Sequence, residues 1–181
     1  MKTIIVVTFI GILTYAFAEE PSSNKTCCYK PMENFDSTRY LQMTPLYLTH
    51  AKYGIDSTDC QVFKFTTESN GQVNTNIYGY YKERRVLYYY EAVCNSKEES
   101  IKTGEYYADC KMVNDTYYTE PLKPFQLYMS VIDTDYQNYA ALYTCYSELN
   151  YFEDNFEVFQ KNPGACDDPV KETLKKRGME L

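Results

Sequence analysis

The segment 125–145 constrains the fold more than any other part of the chain, because it has the pattern of two long strands joined by a short polar turn. In its first half Leu127, Met129 and Val131 alternate with residues of the opposite face, so one face of the strand meets an apolar interior. The turn is rich in Asp, Thr, Gln and Asn, whose side chains hydrogen-bond to nearby backbone groups. The second half ends at Cys145. The rest of the chain must therefore complete a sheet around this hairpin.

Six other segments have strand character, and one of them follows Asn70-Gly71, the strongest short hairpin signal in the chain. These predicted strands are 46–50, 60–66, 72–81, 86–94, 104–113 and 155–161. A helix is predicted over 168–178, because Asp168 and Pro169 suit its start and basic residues suit its end. Eight short antiparallel strands in one small domain favour a closed barrel or a sandwich, and a barrel of this size can hold one small ligand.

Residues 1–18 have the pattern of a secretory signal peptide: Lys2, an apolar run over 4–12, and small residues at Ala16 and Ala18. The alternative is a membrane anchor, but the apolar run is shorter than the ~20 residues that a spanning helix needs. Cleavage leaves 19–181, a length that suits a single domain. We therefore expect a secreted protein with no membrane association.

The charge of the chain argues against a nucleic-acid partner. The formal net charge is −7, and removal of Lys2 with the signal peptide leaves 17 basic against 25 acidic residues, or −8. A nucleic-acid binder needs a basic face, and such a face is not expected on this chain.

All seven cysteines follow residue 18, and in a secreted domain they indicate disulfides. A metal site is not expected, because the chain has one histidine and no C-x-x-C pair. Cys27 and Cys28 are neighbours, and such neighbours rarely bond to each other. The simplest arrangement is three bridges and one spare thiol, either Cys27 or Cys28. That thiol is free or links to a second chain, and we expect a monomer.

Two sequons predict N-glycosylation at the surface of a secreted protein. Asn24 opens the first, Asn-Lys-Thr, and Asn114 opens the second, Asn-Asp-Thr.

The chain resembles the lipocalins and, more narrowly, the triabin and procalin group of salivary lipocalins from blood-feeding triatomine bugs. The motifs that carry the resemblance are Asn34-Phe35-Asp36, Thr134-Asp135-Tyr136 with Tyr139, the segments 45–52 and 131–145, and the cysteine pattern. The chain lacks the Gly-x-Trp motif usual in lipocalins, and Tyr47 occupies that neighbourhood. The resemblance implies an all-β fold: an eight-stranded antiparallel up-and-down lipocalin barrel with a C-terminal helix.

The resemblance also implies the disulfide pairs. One bridge joins Cys27 or Cys28 to Cys145, and of the two we predict Cys28. The second joins Cys60 to Cys166, and the third joins Cys94 to Cys110.

The run of three tyrosines in the fourth predicted strand suggests a ligand site. Tyr88 and Tyr90 share one face, while Tyr89 shares the other with Glu91, so the charge suggests that Tyr88 and Tyr90 enter the barrel. With the opposite parity Glu91 would face the cavity and favour a cationic amine. By alternation, the residues predicted to line the lumen are Tyr47, Tyr78, Tyr88, Tyr90, Leu127, Met129 and Phe156.

We predict a binding protein rather than an enzyme. The single histidine, His50, has no nucleophile motif for a Ser/His/Asp site, and it does not lie in the fourth strand, where related haem proteins carry theirs. No cofactor is therefore expected. The resemblance implies capture of small host mediators, such as biogenic amines, adenine nucleotides or thromboxane-like lipids, with effects on haemostasis or inflammation. The alternatives are an inhibitor that binds a host clotting factor through its outer surface, and a carrier without inhibitory action.

Overall fold

The computed structural model describes residues 26–52, 58–118, 120, 122–148, 151–164 and 168–176. The strands are β1 Leu46–Ala51, β2 Thr58–Thr67, β3 Gln72–Glu83, β4 Val86–Lys97, β5 Glu105–Asp115, β6 Phe125–Thr134, β7 Tyr139–Glu148 and β8 Tyr151–Gln160. The helices are α1 Ser37–Leu41, α2 Glu98–Ile101 and α3 Asp168–Lys176. No helix of this described part is long and apolar enough to cross a membrane. The predicted signal peptide 1–18 and the sequon at Asn24 lie outside the described residues.

The eight strands form a closed barrel in chain order, with every neighbouring pair antiparallel and β8 paired to β1. The predicted fold class, an eight-stranded up-and-down barrel with a C-terminal helix, is confirmed. All the predicted strands are present, and most extend a few residues beyond their predicted ends. Helix α2, between β4 and β5, has no counterpart among the elements predicted from the sequence.

Helix α1 covers one end of the barrel, which we call the closed end. Asp36 caps the helix, since its carboxylate accepts a hydrogen bond from the Arg39 backbone amide at 3.1 Å. Tyr40, Leu41 and Met43 are buried against the barrel core. The helix is fixed to the β6–β7 loop, because the Tyr136 hydroxyl accepts a hydrogen bond from the Asp36 amide at 2.8 Å. We call the opposite end the far end.

The β6–β7 turn is built around the Asp135 carboxylate, as the polar turn residues predicted. One of its oxygens accepts hydrogen bonds from the backbone amides of Gln137 at 2.9 Å, Asn138 at 2.7 Å and Tyr139 at 3.2 Å. Burial by itself raises the pKa of Asp135, but the hydrogen bonds from Asn138 and Gln137 outweigh it and hold the pKa below its usual value.

We expect Asp135→Ala to lower the free energy of unfolding by about 1–3 kcal/mol at pH 7, because three backbone donors lose their acceptor. Urea unfolding followed by circular dichroism measures the change. Because the pKa of Asp135 is lower in the folded state, the ionised carboxylate stabilises the fold at pH values above its usual pKa. This stabilisation is lost as the pH falls through the folded pKa. The gap between wild type and Asp135→Ala should therefore narrow in acid, and a gap that is the same at pH 3 and pH 7 contradicts this account.

Two segments cover parts of the outer face of the barrel. Helix α3 places Val170 and Leu174 against Tyr139, Ala141 and Val158. Both sides of the sheet are therefore apolar in this region, so the pattern of burial along β7 does not alternate.

The second cover is the N-terminal segment around Tyr29. The Tyr29 ring stacks on Tyr143 at 5.2 Å between centroids and meets Phe156 edge-on at 5.1 Å. The Ser130 hydroxyl donates to the Tyr29 carbonyl at 2.8 Å. This segment is anchored to β7 by a disulfide between Cys27 and Cys145.

The prediction that Cys28 forms this bridge is wrong. Cys27 bonds to Cys145, and Cys28 is an exposed free cysteine. The physical reason is alternation in the extended chain: Cys27 and Tyr29 face the sheet, so the side chain between them points to solvent. The predicted bridge from Cys94 to Cys110 is present between β4 and β5. The pairing of Cys60 with Cys166 stays a prediction, because Cys166 lies outside the described residues.

Candidate ligand-binding site

The inner wall of the barrel has two zones. The zone next to α1, which we call the floor, is packed with apolar side chains that expose almost no surface. Its members include Leu46, Phe63, Phe65, Val73, Ile77, Val131, Leu142 and Phe159. Above the floor, inner-wall residues such as Leu48, Tyr81, Tyr90 and Glu157 remain partly accessible. The lumen is therefore filled at the closed end and accessible above it.

Four of the predicted lining residues face the lumen. Tyr90 and Leu127 pack against the core cluster from its accessible side, and Met129 is fully buried within it. Tyr88 lies on the same face of β4 as Tyr90, two residues nearer the far end. Their role in binding stays a prediction, but their position on the inner wall follows the predicted alternation.

The other three predicted lining residues face outward. Tyr47 and Tyr78 are both register partners of Val62, so their side chains lie on the same face of the sheet. This is the outer face, because their chain neighbours Leu46 and Ile77 point into the core. Phe156 packs on the outer face under Tyr29. The prediction failed because the outer face is also apolar where other segments cover it, and alternation then does not distinguish the two faces.

The alternative parity for β4 does not occur. Glu91 is on the outer face, where its carboxylate accepts a hydrogen bond from the Asn76 side chain at 3.2 Å and one from the Tyr89 hydroxyl at 3.3 Å. Neither Glu91 nor Tyr89 reaches the lumen.

A different carboxyl group does reach the lumen, and it is not among the residues predicted to line the lumen. Glu157 on β8 pairs with Leu142 and lies two residues before Phe159, both of which are in the core, so it occupies the inner wall just above the floor. Burial raises its pKa to about 7, although a hydrogen bond with Thr144 acts in the opposite direction. The sequence does contain a pattern that indicates this position. Glu157 lies two residues before Phe159 in an aromatic-rich strand, so the two side chains share a face.

Glu157 should make stability depend on pH in a recognisable way. Its folded pKa is above the usual 4.5, so the folded state keeps a proton that the unfolded chain has released between pH 4.5 and about 7. Stability therefore falls as the pH rises through this window, by on the order of 3 kcal/mol for this group. We expect the difference in unfolding free energy between wild type and Glu157→Gln to change by that amount between pH 4.5 and 8. Parallel pH profiles of the two proteins contradict the assignment.

Tyrosines form the wall of the lumen on the β3–β4 side. The Tyr81 ring lies 5.8 Å from Tyr88 and 6.0 Å from Tyr90 between centroids. The Tyr81 hydroxyl donates to Asp115 at 3.0 Å, so the phenol is held in place from β5. Tyr90 packs against the core cluster, and Glu157 pairs with Leu142 of that cluster, so both side chains belong to the inner wall. Burial raises the pKa of Tyr90, and the charge of Glu157 raises it further.

The sequon at Asn114 lies near the end of β5, and its side chain is exposed. The position can accept a glycan without disturbing the core, so glycosylation there stays a prediction.

Comparison with known proteins points to one family. A family model described as Triabin matches residues 17–173. Triafestin-2 of Triatoma infestans is 34% identical over 188 aligned residues, covering 100% of this chain and 87% of the relative. Pallidipin of Meccus pallidipennis is 31% identical, covering 97% and 89%. Procalin of Hospesneotomae protracta is 31% identical, covering 80% and 74%.

Solved structures agree with the barrel. A biogenic amine-binding protein has a TM-score of 0.68 at 19% identity, covering 86% of this chain and 83% of its own, which shows the fold alone. A structure in complex with leukotriene C4 has a TM-score of 0.58 at 26% identity, covering 87% of this chain and 94% of its own.

Proposed function

The chain belongs to the triabin family of salivary lipocalins, which are binding proteins and not enzymes, and from this premise we propose that it captures small cationic amines of the host. The observation that carries the proposal is the Glu157 carboxyl on the inner wall, just above an apolar floor. A carboxylate in such surroundings gains most from a cation that enters the lumen with it, because water no longer screens the pair.

The tyrosine wall complements the carboxyl. Tyr81, Tyr88 and Tyr90 offer apolar ring faces on which a flat organic amine can pack. Tyrosine rings also attract an ammonium group through their negative faces. The lumen thus combines an anionic point with aromatic surface, the two features that an aryl amine requires.

The same charge argues against the other small mediators. Adenine nucleotides and thromboxane-like lipids are anionic, and Glu157 would repel their phosphate or carboxylate groups once it is ionised. The expected net charge of −8 for the mature chain adds a field that attracts cations and slows anions. We therefore rank amines above nucleotides and acidic lipids.

Capture of amines would impair haemostasis or inflammation by lowering the free concentration of mediator at the bite. The chain carries two described disulfides, which suit an extracellular protein. One relative, at 26% identity, is named platelet inhibitor triplatin-2.

A second candidate, recognition of a host clotting factor, is favoured by an exposed apolar surface near the far end. The hairpin between β3 and β4 exposes Val86 at 50% and Leu87 at 55%, and Tyr118 is 53% exposed after β5. Aromatic and aliphatic groups at such exposure are typical of protein-binding surfaces.

Calorimetric titration at pH 8 with serotonin, histamine, ADP and a thromboxane analogue tests the proposal, beside a plasma clotting assay. We expect heat from the amines and none from ADP. If no amine produces a heat of binding and the protein prolongs clotting, amine capture is overturned in favour of the second candidate.

A further inference from the structure

Exposed apolar side chains are concentrated at the far end of the barrel. Among the residues that the structure describes, eight large hydrophobic side chains are exposed, and seven of them lie on the β3–β4 hairpin or in β5 and the segment that follows it. The seven are Tyr80, Val86, Leu87, Val113, Tyr117, Tyr118 and Leu122. Apolar side chains grouped in this way mark a surface that binds a protein or a membrane.

The tip of the β3–β4 hairpin adds positive charge to this surface. Glu83 pairs with Val86, so the two residues between them, Arg84–Arg85, form the turn. These arginines are exposed, as is Lys82 just before them. Glu83 offsets one of the three positive charges through an ion pair with Arg84 at 3.4 Å. The tip is therefore basic in a chain whose expected net charge after cleavage is −8.

The backbone of this turn indicates that arginine is not the most stable choice there. Arg84 has a φ of 49° and Arg85 has a φ of 71°, so both lie in the left-handed region. A two-residue turn of this kind strongly favours Asn-Gly, because glycine has no Cβ to clash and asparagine tolerates the region. Arg85 makes no ion pair with any residue that the structure describes, so no such contact compensates for the strain. Strained residues persist where their side chains serve a function, which here points to a partner outside the chain.

A narrow hairpin with basic and apolar side chains side by side suits the surface of an anionic lipid bilayer. Leu87 is the cross-strand partner of Lys82 and is 55% exposed. On the same face, Tyr80 meets Tyr89 edge-on at 5.5 Å between centroids. Basic groups are attracted to anionic headgroups, aliphatic groups enter the acyl boundary, and tyrosine suits the zone between them. A protein partner needs a broad complementary surface, whereas a two-residue tip can enter a fluid one.

We propose that the β3–β4 hairpin binds membrane surfaces rich in anionic phospholipid, with the Arg84–Arg85 turn at the headgroup phosphates and Val86 and Leu87 in the interface. This contact is peripheral, and it does not depend on amine capture in the lumen. The expectation of no membrane association concerned a spanning segment, which a peripheral contact does not need. The contact places the far end of the barrel next to the lipid.

Co-sedimentation of the mature chain with lipid vesicles tests the proposal. We expect binding to vesicles of equal parts phosphatidylcholine and phosphatidylserine, none to phosphatidylcholine alone, and weaker binding in high salt. Arg84→Gln with Arg85→Gln should weaken binding by roughly 25-fold, because each basic residue near an anionic surface contributes about fivefold. Lys97→Gln with Lys102→Gln is the matched control, since it removes the same charge from exposed positions at the opposite end of β4. The control should bind within about twofold of wild type.

A second variant, Arg84→Asn with Arg85→Gly, separates a role at the lipid from a role in the fold. It installs the residues that the turn favours, so we expect its Tm to rise while its vesicle binding falls as in the glutamine variant. A higher Tm with vesicle binding intact overturns the proposal. Wild type that binds both kinds of vesicle equally, or neither, also overturns it. Binding to soluble polyglutamate without binding to vesicles assigns the tip to an acidic protein and overturns the membrane proposal, and none of these results bears on amine capture.

Discussion

Replacing Glu157 with glutamine is expected to weaken the binding of serotonin by roughly 100-fold at pH 8, or about 3 kcal/mol. The substitution keeps the shape of the side chain and its hydrogen bond to Thr144. It removes only the negative charge that meets the ammonium group in the lumen. Titration calorimetry of the two proteins in the same buffer measures the effect.

The pH dependence of binding distinguishes a charge effect from a change of shape. The pKa of Glu157 is about 7, so the fraction of ionised carboxyl falls about tenfold per pH unit below that value. Wild-type affinity should therefore rise steeply from pH 5 to 7 and level off above, while Glu157→Gln should show a flat profile. Glu91→Gln is the matched control, because Glu91 lies on the outer face, and it should behave as wild type. If Glu157→Gln binds serotonin with the affinity of wild type, the carboxyl is not part of the binding site.

Loss of the bridge between Cys27 and Cys145 is expected to lower the free energy of unfolding by on the order of 4–5 kcal/mol. The two cysteines are 118 residues apart, so the bridge closes most of the chain into one loop and restricts the unfolded state. The test variant is Cys27→Ala with Cys28→Ala, since Cys28 could otherwise pair with Cys145. Its Tm should fall by roughly 10–20 °C for a domain of this size.

Cys28→Ala alone is the control for this comparison. The Cys28 thiol is free and exposed, so its removal should leave the Tm and the unfolding free energy within experimental error of wild type. A loss of stability in Cys28→Ala similar to that of the double variant would show that Cys28 forms the bridge. A double variant as stable as wild type would show that the bridge does not constrain the unfolded chain.

The N-terminal segment around Tyr29 also explains why alternation predicted the lumen-facing residues correctly on β4 and incorrectly on β8. On β4 the charged residue Glu91 identifies the outer face of the strand. The prediction that Tyr88 and Tyr90 point into the barrel was therefore correct. On β8 the outer face is covered by Tyr29, so Phe156 has an apolar environment outside the barrel. Phe156 was therefore assigned to the wrong face.

The sequence alone determined the local structure and the architecture: strand positions, the Asp135 turn, the helix after residue 168, and a family resemblance that implied closure of the sheet. Local structure depends on neighbours in the chain, and these are visible in the sequence. The tertiary structure alone decided which face of β8 is inward, which of two adjacent cysteines meets Cys145, and that Glu157 and Tyr90 both belong to the inner wall. These outcomes depend on contacts between segments more than 60 residues apart, as for Tyr90 and Glu157, and no local pattern specifies which segment will cover a given face.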